Sequence, residues 1–470
     1  MTEFLRKYGT VATVLFVVMS TNFASADFVS MRNASVDRYY SGQWVHMLGG
    51  ARQAPDDTDN AIGFIYRAPI TVAIDEVNPH WQAAAAHERP FNDSYWPTYR
   101  GIVAYRYLDR NVPDSTSWSD HHSYYISHPA ESYLTSPEQT KKLSPAEKYD
   151  LLVGNSDWRL TRALWKKGAD YLNQTGKNVP TWFGICHGWA AASHMLLPLP
   201  MAPVQMVGAN GQTVNFTSTD VRALQSYLWA QTPPQASYIG TRCQGGSVPV
   251  GTGPGGDMAC VNNNPMSWHL AVTHRIGRDG DSMVMDSSSN AEVWNYAVDS
   301  YYFRYFNPRT LKTFRDWKDA LVARSEFPGD PFARLRGEKA VYIVGVVMDV
   351  FYPAAIEPRE NSSEDRLYEN NHYVYDLELD ENYQIVGGEW NTPGRPDFIW
   401  TFAYGARALS PEDGAISDPG AWAQGAPLPA NWAGLAQQSA TRGDLMGHIV
   451  EHLVQASVLA NAAATAGATP

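Results

Sequence analysis

The stretch "TWFGICHGWAAASHML", residues 181–196, decides how the rest of the chain is read. Gly176, Pro180 and Gly184 frame a short extended entry, and the small and apolar residues that follow lack proline. The spacing therefore predicts a helix that begins at Cys186. A thiol at a helix N-terminus meets the partial positive charge and unpaired N–H groups of the first turn, which favour thiolate over thiol. The expectation is a lowered thiol pKa and a usable nucleophile. Trp182 and His187 flank it as candidates to line an oxyanion or substrate site, with Trp268 as a third. His187 is no base for its neighbour, because adjacent helical residues point about 100° apart.

The cysteine count supports employment of that thiol. Arg6 and Lys7 precede the apolar run from Val11 to Met19, and Ala24-Ser25-Ala26 follows as a small-residue cleavage site. This is the layout of a secretory signal peptide, residues 1–26, and predicts a secreted protein, extracellular or periplasmic. In an oxidising compartment cysteines pair. Cys243 and Cys260 bracket a glycine-rich loop and are the expected disulfide, which leaves Cys186 as the odd thiol; the alternative is Cys186 paired with either of them. No later run is long and apolar enough for a membrane span. The net charge of −12 comes without a basic stripe, which argues against nucleic acid and membrane insertion as partners.

A base must come from elsewhere. "NPMSWHLAVTHRIGRDGDSMVMDSS" reads as two strands joined by a loop between Gly277 and Gly280. Strand alternation puts His269 on one face and leaves His274 the weaker candidate. With the loop centred between Arg278 and Asp279, Asp286 falls opposite Ala271, on the face of His269. A carboxylate there fixes the imidazole tautomer so that the other nitrogen meets the thiol. Cys186, His269 and Asp286 are thus the expected catalytic set, in the order used by papain-like folds with an aspartate third member. Asn290 and Asn262–Asn264 are less well placed alternatives to Asp286.

Around this core, "SPAEKYDLLVG" starts with a capping box, Ser144 and Glu147, and Pro145 in the first helical position. "WRLTRALWKKGADYL" has the apolar spacing of an amphipathic helix, and "DLMGHIVEHLVQASVLA" that of a terminal helix. The last eleven residues are expected to be disordered. "KAVYIVGVVMDVFY" is a buried strand, "HYVYDLELDENYQIVGGEW" a hairpin, and "DSYWPTYRGIVAYRY" a turn into a strand. "DDTDN", Asp56–Asn60, lacks the glycine and terminal glutamate of a calcium loop.

Four blocks, "SPAEKYDLLVG", "TWFGICHGWAAAS", "WHLAV…MDSSSNAEVWN" and "IVGGEWNTPGRPDFIWTF", together resemble the transglutaminase elicitor family over Ser94–Phe402. These are secreted transglutaminases of plant-pathogenic oomycetes, with bacterial relatives. The resemblance implies protein-glutamine γ-glutamyltransferase activity, with Cys186 as nucleophile, His269 as base and Asp286 as orienter. It implies a protein or peptide glutamine donor and an amine acceptor as partners. Val293, Trp294 and Asn295 match the segment that plants recognise in the oomycete proteins, but Ala297 stands where that segment has proline. Calcium dependence belongs to some transglutaminases, yet no ligand motif for calcium or another metal is visible, and no cofactor is expected.

The expected architecture is α+β: a papain-like or transglutaminase-like cysteine core, its Cys-bearing helix packed on an antiparallel sheet that carries His and Asp. Residues 27–140 form an aromatic-rich N-terminal region and candidate pro-segment, 141–405 the catalytic core, and 406–470 a C-terminal loop and helix. The rival readings are a secreted cysteine protease or glutamine deamidase and, outside enzymes, a cell-surface binding module.

Overall fold

The computed structural model describes residues 70–467, apart from 78–80, 196–198, 201, 241–262, 289–291, 361–366, 393, 421 and 424. The expected signal peptide, the Asp56–Asn60 stretch and the expected Cys243–Cys260 disulfide lie outside the described residues. Helices that matter for the site are α1 (Pro145–Leu152), α2 (Arg159–Thr175), α3 (Cys186–Met195), α4 (Ser218–Gln231), α5 (Pro265–Ala271), α6 (Ala430–Arg442) and α7 (Gly447–Gly467). The principal strands are β1 (Ala83–Ala85), β2 (Ala236–Gly240), β3 (Val284–Asp286), β4 (Asn295–Ala297), β5 (Ser300–Phe306), β6 (Tyr342–Pro353), β7 (Tyr368–Leu379), β8 (Ile385–Trp390) and β9 (Phe398–Phe402).

Two antiparallel sheets organise the molecule. The larger runs β1-β5-β6-β7-β8, with short strands Thr313–Phe314 and Val322–Ala323 added to β5 and β6. The smaller runs β2-β9-β3-β4. Mixed α/β architecture with antiparallel sheets is thus the observed class. The buried strand and the hairpin read from sequence are β6 and the β7–β8 pair. The capping box is present in full: Ser144 Oγ accepts from Glu147 N, and the Glu147 carboxylate accepts from Ser144 N. One hydrophobic core links Phe91, Trp96 and Tyr99 with Trp189 on α3 and with Trp432 and Leu453 near the C-terminus.

Three local expectations are corrected. Residues 265–271 form a helix, not a strand, and a π-helical turn, Val272–Arg278, continues it. Asn264 caps it by accepting from Met266 N at 2.8 Å, and Pro265 supplies the first helical residue. Six of its seven residues are buried, so no polar face betrays the helical period, and a short apolar run of this kind is ambiguous from sequence. "PTYRGIVA" forms two 3-10 turns, Thr98–Arg100 and Ile102–Ala104, rather than a strand; Gly101 between them sits at φ 90°, which reverses the chain. At the far end α7 continues to Gly467, well into the segment expected to be disordered, in keeping with alanine's high helix propensity.

Helix α3 is seated by small residues. A Cβ at Gly188 would lie 2.2 Å from the Ser226 carbonyl oxygen, so glycine permits the close crossing of α3 over α4. The segment 91–98 clasps the same helix from the other side. Ile185 N donates to Tyr95 O at 2.7 Å, Thr98 N to Phe183 O at 2.8 Å, and the Trp189 indole to Phe91 O at 2.8 Å.

Candidate active site

Cys186 occupies the first residue of α3 as expected, unbridged and buried. Its thiol donates to Val293 O at 3.6 Å, and Asn295 Nδ2 donates to its sulfur at 3.7 Å. Backbone N–H groups of Asn295 and His187 also favour the sulfur as an anion. The strand entry Val293–Asn295 therefore holds the thiol by an acceptor on one side and donors on the other.

Register explains the rest of the constellation. Asp286 ends β3 directly opposite Asn295, the first residue of β4. Val284, two residues earlier on the same face, is opposite Trp400 of β9. Asp286, Asn295 and Trp400 therefore share one face of the small sheet, against which the start of α3 packs. The Trp400 indole donates to Asn295 Oδ1 at 2.8 Å. Asp286 Oδ1 accepts from Trp294 N at 2.9 Å and from Ser288 Oγ at 3.2 Å. The Trp294 ring meets Tyr95 edge-on at 5.3 Å and sends its own N–H to Glu292.

Cys186 and Asp286 are thus brought together; His269 is not placed with them. Its Nδ1 lies 2.8 Å from the Tyr375 hydroxyl, on β7 of the large sheet, and its ring packs against Phe303 of β5. Its Nε2 has no hydrogen-bond partner among the described residues. The expected cross-strand pairing of Asp286 with Ala271 is replaced by the pairing with Asn295, because helix α5 takes the place of the first predicted strand. Trp268 is fully buried with its ring edge-on to Tyr373, so it is a core residue. Trp182 is half-buried against Phe183. His187 turns its ring toward the Ala230 backbone at the end of α4, away from the sulfur.

The electrostatics reverse one expectation. Burial pushes the Cys186 thiol above its ordinary pKa, the Asn295 and His187 N–H groups offset this only in part, and the Asp286 charge adds to the rise. Desolvation outweighs the helix terminus, so the resting sulfur is a neutral thiol at pH 7. Burial, helped by the nearby His274, also pushes His269 down to about 3, which keeps it neutral. Among the described residues no group of three or more His, Cys, Asp or Glu side chains is arranged to hold a metal ion, and no helix is long and apolar enough to cross a membrane.

Two residues of this site, Asn295 and Trp400, were not singled out for chemistry by the sequence, although Asn295 lies in the "VWN" block and Trp400 in "PDFIWTF". Comparison with known proteins bears on the fold and the family. A search of curated protein sequences gives no match. The crystal structure of the GP42 transglutaminase from Phytophthora sojae aligns with 87% of this chain and 99% of its own, with a TM-score of 0.57 at 19% identity, so the two share a fold. The family model for the transglutaminase elicitor matches residues 65–410, close to the span whose motifs suggested it. The chain belongs to the transglutaminase elicitor family.

Proposed function

We propose that the protein is a secreted protein-glutamine γ-glutamyltransferase that works through a Cys186 thioester. The observation that carries this reading is a free thiol at the start of a helix, held between Val293 O and Asn295 Nδ2 with the Asp286 charge beside it. The sulfur attacks the γ-carboxamide of a peptide glutamine. Its proton passes to a base and on to departing ammonia, leaving the acyl group on sulfur. A lysine or other primary amine then attacks the thioester, loses a proton to the same base, and regenerates the thiol.

Asp286, on the sheet face against which the start of α3 packs, is the candidate we take for first acceptor of the thiol proton. A second reading keeps His269 in the role expected from sequence, and its unpartnered Nε2 is the observation in its favour. Catalytic hydrogen bonds often tighten only in the substrate complex, which keeps His269 in contention.

The test is incubation with a glutamine peptide and a labelled primary amine, with the products weighed by mass spectrometry. An amine adduct that disappears in Cys186→Ala supports the reading. Free acid without adduct would replace it by deamidation, and backbone cleavage by proteolysis.

A further inference from the structure

We propose that Asn295 is a catalytic residue whose side-chain N–H holds the negative charge that develops on the Cys186 sulfur, and that Trp400 is the positioning residue that turns the amide nitrogen toward it. This rests on the reading of Cys186 as a nucleophile.

An asparagine amide has an oxygen that only accepts and a nitrogen that only donates, and the two ends are nearly the same size. Which end meets the sulfur is set by what the other end meets. An indole N–H can only donate, so Trp400, at 2.8 Å, admits Oδ1 and leaves Nδ2 for the sulfur at 3.7 Å. Trp400 is itself fixed. Its strand lies between β2 and β3, its ring stacks on Tyr238 at 5.8 Å, and it is buried, as is Asn295. Water is excluded from both, so a reversed amide would strand the indole N–H and turn an oxygen toward the sulfur.

The resting hydrogen bond shows why a donor is needed. Val293 O receives the thiol proton now, but once that proton leaves, a carbonyl oxygen faces a sulfur anion. The Asp286 charge opposes the anion as well. Asn295 is placed to offset both, because a hydrogen bond to an ionised acceptor strengthens as charge develops.

The experiment is the pH profile of iodoacetamide alkylation at Cys186, read by mass spectrometry on the full chain. The midpoint is compared rather than the plateau, because a truncated side chain also changes reagent access. Asn295→Ala should move the midpoint up by about one unit, so alkylation below both midpoints slows about tenfold. Trp400→Phe, which keeps the ring and loses only the N–H, should move it the same way by less. Asn295→Asp should move it furthest. A folded Asn295→Ala protein with an unchanged midpoint overturns the proposal. If that variant fails to fold, an unchanged midpoint in Trp400→Phe does so. Shifted midpoints without any amine adduct in the glutamine assay would leave this inference standing and sink the transferase reading, so the two failures are distinct.

Discussion

Asp286 and Asn295 face each other across adjacent antiparallel strands, and the Cys186 sulfur rests against the asparagine of that pair. One partner donates to the sulfur while the other opposes its ionisation, so the two side chains act on the thiol with opposite sign.

That opposition gives Asp286→Asn an unusual signature. Removing the negative charge should lower the Cys186 pKa, so alkylation at pH 8 should speed up. If Asp286 accepts the thiol proton, acyl transfer should fall in the same protein, by about 10²- to 10⁴-fold, the usual range for loss of a general base. Alkylation and transfer are measured on one preparation. Transfer that survives in Asp286→Asn but is lost in His269→Gln would hand the base role to His269.

His269 also ties stability to pH. Its folded pKa of about 3 lies below the ordinary 6.5, so the unfolded chain takes up the proton first as pH falls. The stabilisation from its neutral burial is fully present above pH 6.5 and is lost progressively toward pH 3. Between pH 6.5 and 5 the expected loss is about 2 kcal/mol. His269→Gln keeps a polar partner for the Tyr375 hydroxyl but does not titrate. Urea unfolding at the two pH values should show that difference shrink by about this amount. An unchanged difference would mean that the imidazole is already solvated in the folded state.

The legible and illegible parts of the site differ for physical reasons. Helix α3 was visible because Pro180 and Gly184 punctuate its approach and a small-residue run follows Cys186. Helix α5 was not, since burial on nearly every side erases the period that separates helix from strand. Asp286 was found as a candidate although its true partner is on β4. Asn295 was quoted among the family blocks, but its purpose depends on Trp400, 105 residues downstream, which no local pattern connects to it. The sign of the thiol shift was missed because a helix terminus is written in the sequence, whereas depth of burial is a property of the assembled fold.

Gly188 should be intolerant for a steric reason. An added Cβ meets the Ser226 carbonyl oxygen at 2.2 Å and the Ala230 Cβ at 2.6 Å, and backbone cannot yield as a flexible side chain does. Gly188→Ala is expected to cost about 1–3 kcal/mol and to lift the start of α3, so Cys186 should alkylate faster as the melting temperature drops. Gly434, within α6, has nothing within 4 Å of the corresponding position. Gly434→Ala should instead stabilise by about 0.5–1 kcal/mol through helix propensity. Equal effects in the two variants would remove the close crossing of α3 over α4 as the explanation.

The segment before residue 140 should prove inseparable from the catalytic helix. It supplies Phe91, Trp96, Tyr99 and Ile102 to the common core, and its backbone oxygens at Phe91 and Tyr95 accept from Trp189 and Ile185. Burying each large apolar side chain contributes about 1.5–3 kcal/mol, and a whole domain is stable by only about 5–15 kcal/mol. Losing four such side chains costs about 6–12 kcal/mol, comparable with that whole stability, before the two helix-anchoring hydrogen bonds are counted. A protein beginning at Lys141 should therefore show no cooperative thermal transition. A full chain nicked near residue 140 should keep both pieces together through gel filtration and retain its Cys186 alkylation profile. A shortened protein that melts cooperatively with that profile intact would instead identify the segment as a removable pro-piece.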